Sequence, residues 1–304
     1  MKVFVVGATG AIGRYAVQAL VDAGHSVTAV ARTPEKASRL QNQGASTTTV
    51  SIYDRMALIK QIEGHQAVVN LATAIPPVSK FMQSSAWVEN DRVRKEGSAT
   101  IVDAAISAGA ERIVQESVSM LYADQGDAWI HENSPTDDFP MAHGNLAAEA
   151  STHRFIKTGG TGVILRFGWF YGPGAKHSEE FFRLARNHIA IMMGPPNGYV
   201  SSIHVADAGA AVAAALAVPS GTYNVVDDEP LTKRAYADAL STAAGRPAWL
   251  RLPGRAALLL GNRSTSLTRS TRVSNAKLRE ESGWLPSFSS ARDGWLATAK
   301  ILRK

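Results

Sequence analysis

Val3-Phe4-Val5-Val6-Gly7-Ala8-Thr9-Gly10-Ala11-Ile12-Gly13 is the stretch whose reading decides the fold. Val3–Val6 is an apolar run of strand length, and Arg14 to Ala23 carries a helical pattern. Between them stand three glycines at Gly-x-x-Gly-x-x-Gly spacing. A buried strand that feeds a glycine-rich turn into a helix is built to hold a dinucleotide pyrophosphate. The glycines allow a tight turn and close backbone approach, and the helix N-terminus turns free N–H donors and a positive dipole end toward the phosphates. The spacing differs from Gly-x-Gly-x-x-Gly, so the flanking strand and helix carry the argument. Gly7, Thr9, Gly10, Ala11, Ile12 and Gly13 are the expected pyrophosphate contacts.

The same alternation continues outward. Ser26–Val30, Thr47–Ile52, Ala67–Leu71, Arg112–Gln115 and Gly162–Leu165 read as strands, with a later one at Thr222–Val226. Helical patterns lie at Arg55–Ile62, Arg92–Ala108 and Ala142–Thr158, and glycines follow several helix ends, as at Gly24, Gly64 and Gly109. This order predicts an α/β, doubly wound parallel (Rossmann) sheet. Residues 1–166 form the expected dinucleotide-binding core and 167–304 a smaller, mainly substrate-facing part, with 200–226 returning to the core.

Composition removes several classes. The chain has 304 residues, 45% hydrophobic and 19% charged, within the ordinary globular range. It has no cysteine, hence no disulfide framework or thiol chemistry. No metal-ligand spacing stands out. A strand that begins at the first residues leaves no room for a signal peptide, and the longest apolar candidate, Ala208–Val218, is too short to span a bilayer. A cytoplasmic protein with no membrane partner is the expectation, as a monomer or homodimer. The net charge is +6, with Arg251, Arg255, Arg263, Arg269, Arg272, Lys277 and Arg279 in the C-terminal third. No aromatic interleaving accompanies them, so a solvated basic face is expected rather than a nucleic-acid partner.

The second strand ends at Val30-Ala31-Arg32 with no acidic residue at its tip. An acidic residue there would hold ribose hydroxyls, whereas an arginine suits a 2′-phosphate through its planar donor fork. Arg32, seconded by Lys36, points to NADP(H) over NAD(H).

Gly-Ala-Thr-Gly-Ala-Ile-Gly resembles the turn of the short-chain dehydrogenase/reductase superfamily in its extended, epimerase/dehydratase-like branch. The resemblance runs over nearly the whole chain. Leu165-Arg166-Phe167-Gly168-Trp169-Phe170-Tyr171-Gly172-Pro173-Gly174, Ile203-His204-Val205-Ala206-Asp207, Tyr223-Asn224-Val225 and Gly283-Trp284-Leu285-Pro286 all resemble family segments. The resemblance implies adenine contacts at Ser51 and Ile52, where Ser51 replaces the family's Asp. It implies ribose and nicotinamide contacts along Leu71-Ala72-Thr73 and at Phe167 and Gly168. It also implies that Asp54 and Asp207 cap the helices that follow them and that His204 is structural.

The resemblance breaks at the family's Tyr-x-x-x-Lys pair. Aligned on Leu146-Ala147-Ala148-Glu149, the Tyr position is Met141 and the Lys position Asn145. None of Tyr15, Tyr53, Tyr122, Tyr171, Tyr199, Tyr223 or Tyr236 has a lysine four residues later. The family's serine, four residues before Tyr122, is Val118, flanked by Ser117 and Ser119. Replacement acids are sought in Tyr122, Ser117 and His143; His143 enters the site only if its helix starts after Met141. Asn145 can still hydrogen-bond the ribose. The loop of Asp127, Trp129, His131 and Glu132 reads as a solvated excursion. Three functions follow. The first is an NADP(H)-dependent oxidoreductase acting on a small carbonyl, enone or imine without the usual pair. The second is a catalytically weak NADP(H)-binding sensor or regulator, and the third a sugar-nucleotide-type epimerase or dehydratase.

Overall fold

The structure, a computed structural model, describes residues 1–81, 83–190, 194–251 and 265–303. Strands β1 (Lys2–Val6), β2 (Ser26–Val30), β3 (Ser46–Thr48), β4 (Ala67–Asn70) and β5 (Arg112–Val118) alternate with helices α1 (Gly13–Asp22), α2 (Pro34–Gln41), α3 (Arg55–Ile62), α4 (Val88–Arg92) and α5 (Ser98–Ser107). There follow β6 (Trp129–Ile130), α6 (His143–Lys157), β7 (Thr161–Phe167), β8 (Trp169–Tyr171), α7 (Lys176–Arg186), β9 (Ile189–Ala190), β10 (Tyr199–Val200), β11 (Ser202–His204), α8 (Val205–Ala214), β12 (Gly221–Val225), β13 (Leu231–Thr232) and α9 (Lys233–Ala244). Seven strands form one parallel sheet in the order β12-β7-β5-β4-β1-β2-β3.

Alternate residues of each strand feed opposite faces. Val3 and Val5 of β1, Val69 of β4, Val114 of β5 and Leu165 of β7 pack with α1 and α8 on one face. Phe4, Val68 and Ile113 pack with α3, α5 and Phe155 of α6 on the other. Burying apolar surface on both faces stabilises the sheet by about 25 cal/mol per Å², which is why its strands read as apolar runs rather than as alternation.

Several boundaries differ from expectation for identifiable reasons. β3 stops at Thr48, because Thr49 Oγ1 donates to the Ala31 carbonyl (2.9 Å) and Ser51 Oγ accepts from Tyr53 N (3.2 Å), which turns the chain out of the sheet. β5 continues three residues past Gln115, through Glu116 and Ser117. Those polar residues hid the strand, yet each is buried with a polar partner: Asn70 with Gln115, Arg94 with Glu116 and Ser117 with Glu149. The helix expected at Arg92–Ala108 starts at Val88 and contains a π-helical turn at Val93–Gly97, beside the inward-turned Arg94. Asp54 caps α3, accepting from Ala57 N at 3.0 Å. Asp207 does not cap α8. His204 does, through Nδ1, while Asp207 accepts from Ser287 N and Phe288 N and so ties the C-terminal segment to the core.

Tyr171, Phe182, Tyr236, Leu240 and Trp295 make a further core among β8, α7, α9 and the helix Ala291–Leu302. Four of the basic residues expected on a solvated face, Arg269, Arg272, Lys277 and Arg279, are instead ties within the molecule. Arg269 donates to the Tyr122 carbonyl and pairs with Asp137, Arg272 lies over Trp129 and Tyr199, Lys277 over Tyr223, and Arg279 pairs with Asp228. Arg255 and Arg263 lie outside the described residues. No helix among the described residues is long and apolar enough to cross a membrane.

Candidate functional site

The turn after β1 is fixed by contact. Gly7 has φ +79°, and a Cβ there would fall on the Leu71 carbonyl and lie 2.6 Å from Ala72 N. A Cβ on Gly13 would strike the Gly7 carbonyl oxygen and lie 2.6 Å from the Ala8 carbonyl carbon. Both positions therefore require glycine, and together they press the start of α1 against the ends of β1 and β4. Gly10 N donates to Gly7 O at 2.9 Å, closing the turn and leaving Gly10 exposed. No side chain caps α1 at Ile12, and its first turn carries no acidic residue. The helix N-terminus thus keeps its donors and positive dipole end for an anion. Thr9 and Ala11 flank Gly10 and are half-buried.

Arg32 is exposed at the tip of β2. Thr33 caps α2 by accepting from Lys36 N at 3.4 Å, which sets Lys36, half-buried, in the first turn of α2. Ser51 is exposed, and the half-buried Ile52 packs its side chain beside Gly97. Leu71 is buried and Ala72 N donates to Asn70 Oδ1 (3.1 Å), so the Leu71-Ala72-Thr73 segment leaves β4 in a fixed direction against the Gly7 turn. Phe167 is core at the end of β7, and Gly168 follows beneath the Ser201 backbone.

α6 begins at His143, with Ala142 at its N-cap, so Met141 precedes the helix. His143 nevertheless turns to solvent. Its ring is 63% exposed, and its Nε2 lies 2.7 Å from Asp138 Oδ1 at the surface. Asn145 is buried, its Nδ2 donates to the Met141 carbonyl (3.1 Å), and its Oδ1 is buried without a hydrogen-bond partner among the described residues. A buried acceptor left unmatched is costly, and a ribose hydroxyl is the kind of donor that would satisfy it. The uncapped α1, the glycine-only turn and this orphaned acceptor all fit a dinucleotide cofactor.

The other expected acids are occupied. Tyr122 is fully buried, and its hydroxyl donates to Asn224 Oδ1 of β12 at 2.7 Å, beneath the Arg166 guanidinium. Burial pushes its pKa up to about 12. Ser117 Oγ donates to Glu149 Oε1 (2.6 Å), and Arg166 grips the same carboxylate from Nε (2.9 Å) and Nη2 (2.7 Å). Ser117, Glu149 and Arg166 thus form a buried tie among β5, α6 and β7, and Ser117 is spent in it. Val118 and Met141 pack with Leu121, Phe139 and Ala142 in one apolar cluster. The loop is exposed at Asp127, Trp129 and His131, as expected, and is anchored where Glu132 accepts from Asn224 N (2.9 Å) and β6 pairs with Arg272–Val273.

A cleft adjoins that cluster. Ser119 and Met120, just past the end of β5, line it together with Trp169, Tyr236, Arg269 and the buried Lys233 at the start of α9. Nothing local in the sequence marks Glu149 as part of a buried tie or Lys233 as lining a cleft. Trp169 belongs to the Leu165–Gly174 segment that resembles the family. Among the described residues no cluster of His, Cys, Asp or Glu could hold a metal.

A family described as NAD(P)H-binding matches residues 7–217. A 3-diazoavenalumate denitrifying reductase from a Streptomyces species is 32% identical over 306 residues, covering 97% of this chain and 99% of its own. The solved structure of human epimerase family protein SDR39U1 with NADPH superposes with TM-score 0.80 at 23% identity, covering 99% of each chain. DesIV, a dTDP-glucose 4,6-dehydratase from Streptomyces venezuelae solved with NAD and TYD, gives 0.81 at 20% identity over 100% of this chain and 97% of its own. The chain belongs to the NAD(P)H-binding family and has the fold of the extended short-chain dehydrogenases/reductases.

Proposed function

We propose that this protein is an NADPH-dependent reductase whose substrate accepts a hydride without a proton from the protein, and that the acceptor is an aryl diazonium group. The observation that carries the reading is the apolar cluster of Val118 and Met141 with Leu121, Phe139 and Ala142. Aligned on the family's motif, Val118 and Met141 stand where the serine and tyrosine would polarise and protonate a substrate oxygen. Neither side chain has a proton to give or a charge to stabilise one. Bound NADPH supplies a hydride, and a hydride that replaces an aryl diazonium group, with loss of N₂, completes the product without a proton.

The residues of this chain then hold and exclude. Gly7, Gly10 and Gly13 with the α1 N-terminus take the pyrophosphate, Arg32 and Lys36 the 2′-phosphate, and Asn145 Oδ1 a ribose hydroxyl. Val118, Met141 and Phe139 keep water from the acceptor carbon, which protects a cation that water would otherwise capture. Ketone reduction and sugar epimerisation or dehydration both require an acid or base at this place. The 32% identical relative, named for a diazo substrate and a denitrifying reduction, supports the same class.

The test is NADPH consumption with a stable aryl diazonium salt, corrected for the rate without protein and paired with N₂ measurement. The same assay is run on a ketone and a preformed cyclic iminium. Diazonium turnover with one N₂ per NADPH and little ketone reduction is expected. A preference for ketones overturns the reading; tight NADPH binding without any turnover favours a sensor instead.

A further inference from the structure

Lys233 is the first residue of α9 and is only 7% exposed. Its Nζ donates to the Leu267 carbonyl at 2.8 Å, its one hydrogen bond among the described residues. An ammonium has three N–H donors, and burying one with a single neutral acceptor is costly. Burial pulls its pKa down to about 8, a drop that the charge of the exposed Asp124 only partly opposes. The carboxylate of Asp124 is itself engaged, accepting from Ser270 N at 3.0 Å.

The cleft that Lys233 lines has Trp169, Phe181, Tyr236 and Leu240 among its walls, with Ser201 and Thr271 as further polar residues, and it reaches Ser119 and Met120 beside the Val118–Met141 cluster. Arg269 lies on the same cleft, but its two terminal nitrogens are committed to the Tyr122 carbonyl (2.8 Å) and Asp137 (2.5 Å). Arg269 is thus already paired with a carboxylate, whereas Lys233 has none among the described residues and keeps two N–H donors for a ligand. A flat apolar body fits the aromatic walls, and an anion at its far end would match the buried ammonium.

We propose that the cleft binds an aromatic carboxylate, with Lys233 Nζ holding the carboxylate and Trp169, Phe181 and Tyr236 covering the ring. The assignment rests on the cleft being the substrate side of the reductase proposed above, and it names the class of substrate. Charge-assisted hydrogen bonds from an ammonium to a carboxylate are about twice as strong as neutral ones, so the pair would discriminate sharply against a neutral isostere.

The probes are cinnamate and its neutral isostere cinnamamide, titrated into the full-length protein loaded with NADP⁺ and followed by calorimetry. Cinnamate is expected to bind at least tenfold tighter than cinnamamide. Lys233→Met is expected to bring the two to equal affinity, Lys233→Arg to retain part of the preference, and NADP⁺ affinity to stay unchanged in both. A lysine that only ties α9 to the Leu267 backbone would weaken both probes alike. If Lys233→Met does not fold, Trp169→Ala provides an independent arm and should weaken both probes while leaving the carboxylate preference intact. The proposal is overturned if the wild type shows no carboxylate preference, or if the preference survives Lys233→Met. Binding is read without turnover, so carboxylate preference in a protein inactive on diazonium salts would refute the reductase reading and leave this one standing.

Discussion

Replacing Arg166 by Met isolates a buried charge at the junction that places the start of α6. The Glu149 carboxylate now receives three hydrogen bonds, two from Arg166 at 2.9 and 2.7 Å and one from Ser117 at 2.6 Å, with both charged side chains under a tenth exposed. Burial alone would lower the Arg166 pKa, but the bonds and charge of Glu149 outweigh it and raise the guanidinium pKa. Arg166→Met leaves the carboxylate with only the Ser117 hydroxyl, and stranding a buried charge in this way costs about 3–5 kcal/mol. Ser117→Ala removes one bond to a charged acceptor and should cost about 1.5–3 kcal/mol. The double variant Arg166→Met, Glu149→Leu removes both charges and should recover most of the single-variant loss, because a well-packed apolar pair is often as stable as the ion pair it replaces. Urea denaturation followed by circular dichroism reads all four proteins. A loss below about 1 kcal/mol for Arg166→Met, or a double variant no better than the single, would refute the view that this triad fastens α6 to the sheet.

Other consequences are equally direct. Arg32→Ala should weaken NADPH binding by about tenfold to a hundredfold, the range for one charge-assisted contact, and leave NADH binding nearly unchanged; calorimetry with both cofactors decides, and equal losses would argue against a 2′-phosphate contact. Gly13→Ala forces a Cβ onto the Gly7 carbonyl and should abolish measurable NADPH binding while lowering the melting temperature; full-strength binding by this variant would contradict the steric account of the turn. His204 is buried between Tyr171 and Phe288, accepts from Ala206 N through Nδ1, and has its pKa lowered by burial to about 4. The folded protein therefore resists protonating His204 while the unfolded chain takes up a proton near pH 6.5. The stability His204 confers is complete above that value and is lost as pH falls from 6.5 through 4, a loss of about 3 kcal/mol. Urea midpoints from pH 7 to 4.5 should fall less steeply for His204→Asn than for the wild type, and parallel slopes would refute the assignment.

The glycine turn after β1 was legible because its signals are local. Gly7 and Gly13 are dictated by backbone contacts within a dozen residues and by one neighbouring strand, so their spacing carries the geometry. The parallel sheet was legible for a related reason: strands buried on both faces write themselves as apolar runs. The end of β5 was not, because Glu116 and Ser117 look like loop residues until Arg94, Glu149 and Arg166 arrive from distant segments to neutralise them. The same long-range pairing occupies the candidate acids. Tyr122 and Ser117 have suitable chemistry, yet Asn224 and Glu149, 102 and 32 residues away, claim their hydroxyls. Starting α6 after Met141 does not bring His143 into the site, because its ring turns to solvent beside Asp138. Lys233 could not be singled out because a lysine after a capping threonine is an ordinary helix start; only the packing of α9 against the cleft makes it unusual.

The central claim is that the acceptor takes its hydrogen from the cofactor and none from the protein or solvent. The direct measurement is product labelling in a single turnover of an aryl diazonium salt, using NADPH deuterated at the transferred position in ordinary water and unlabelled NADPH in heavy water. The account predicts one deuterium at the carbon that lost nitrogen in the first experiment, none there in the second, and no solvent isotope effect on the rate. Deuterium entering that carbon from heavy water, or a rate that falls in heavy water, would contradict it.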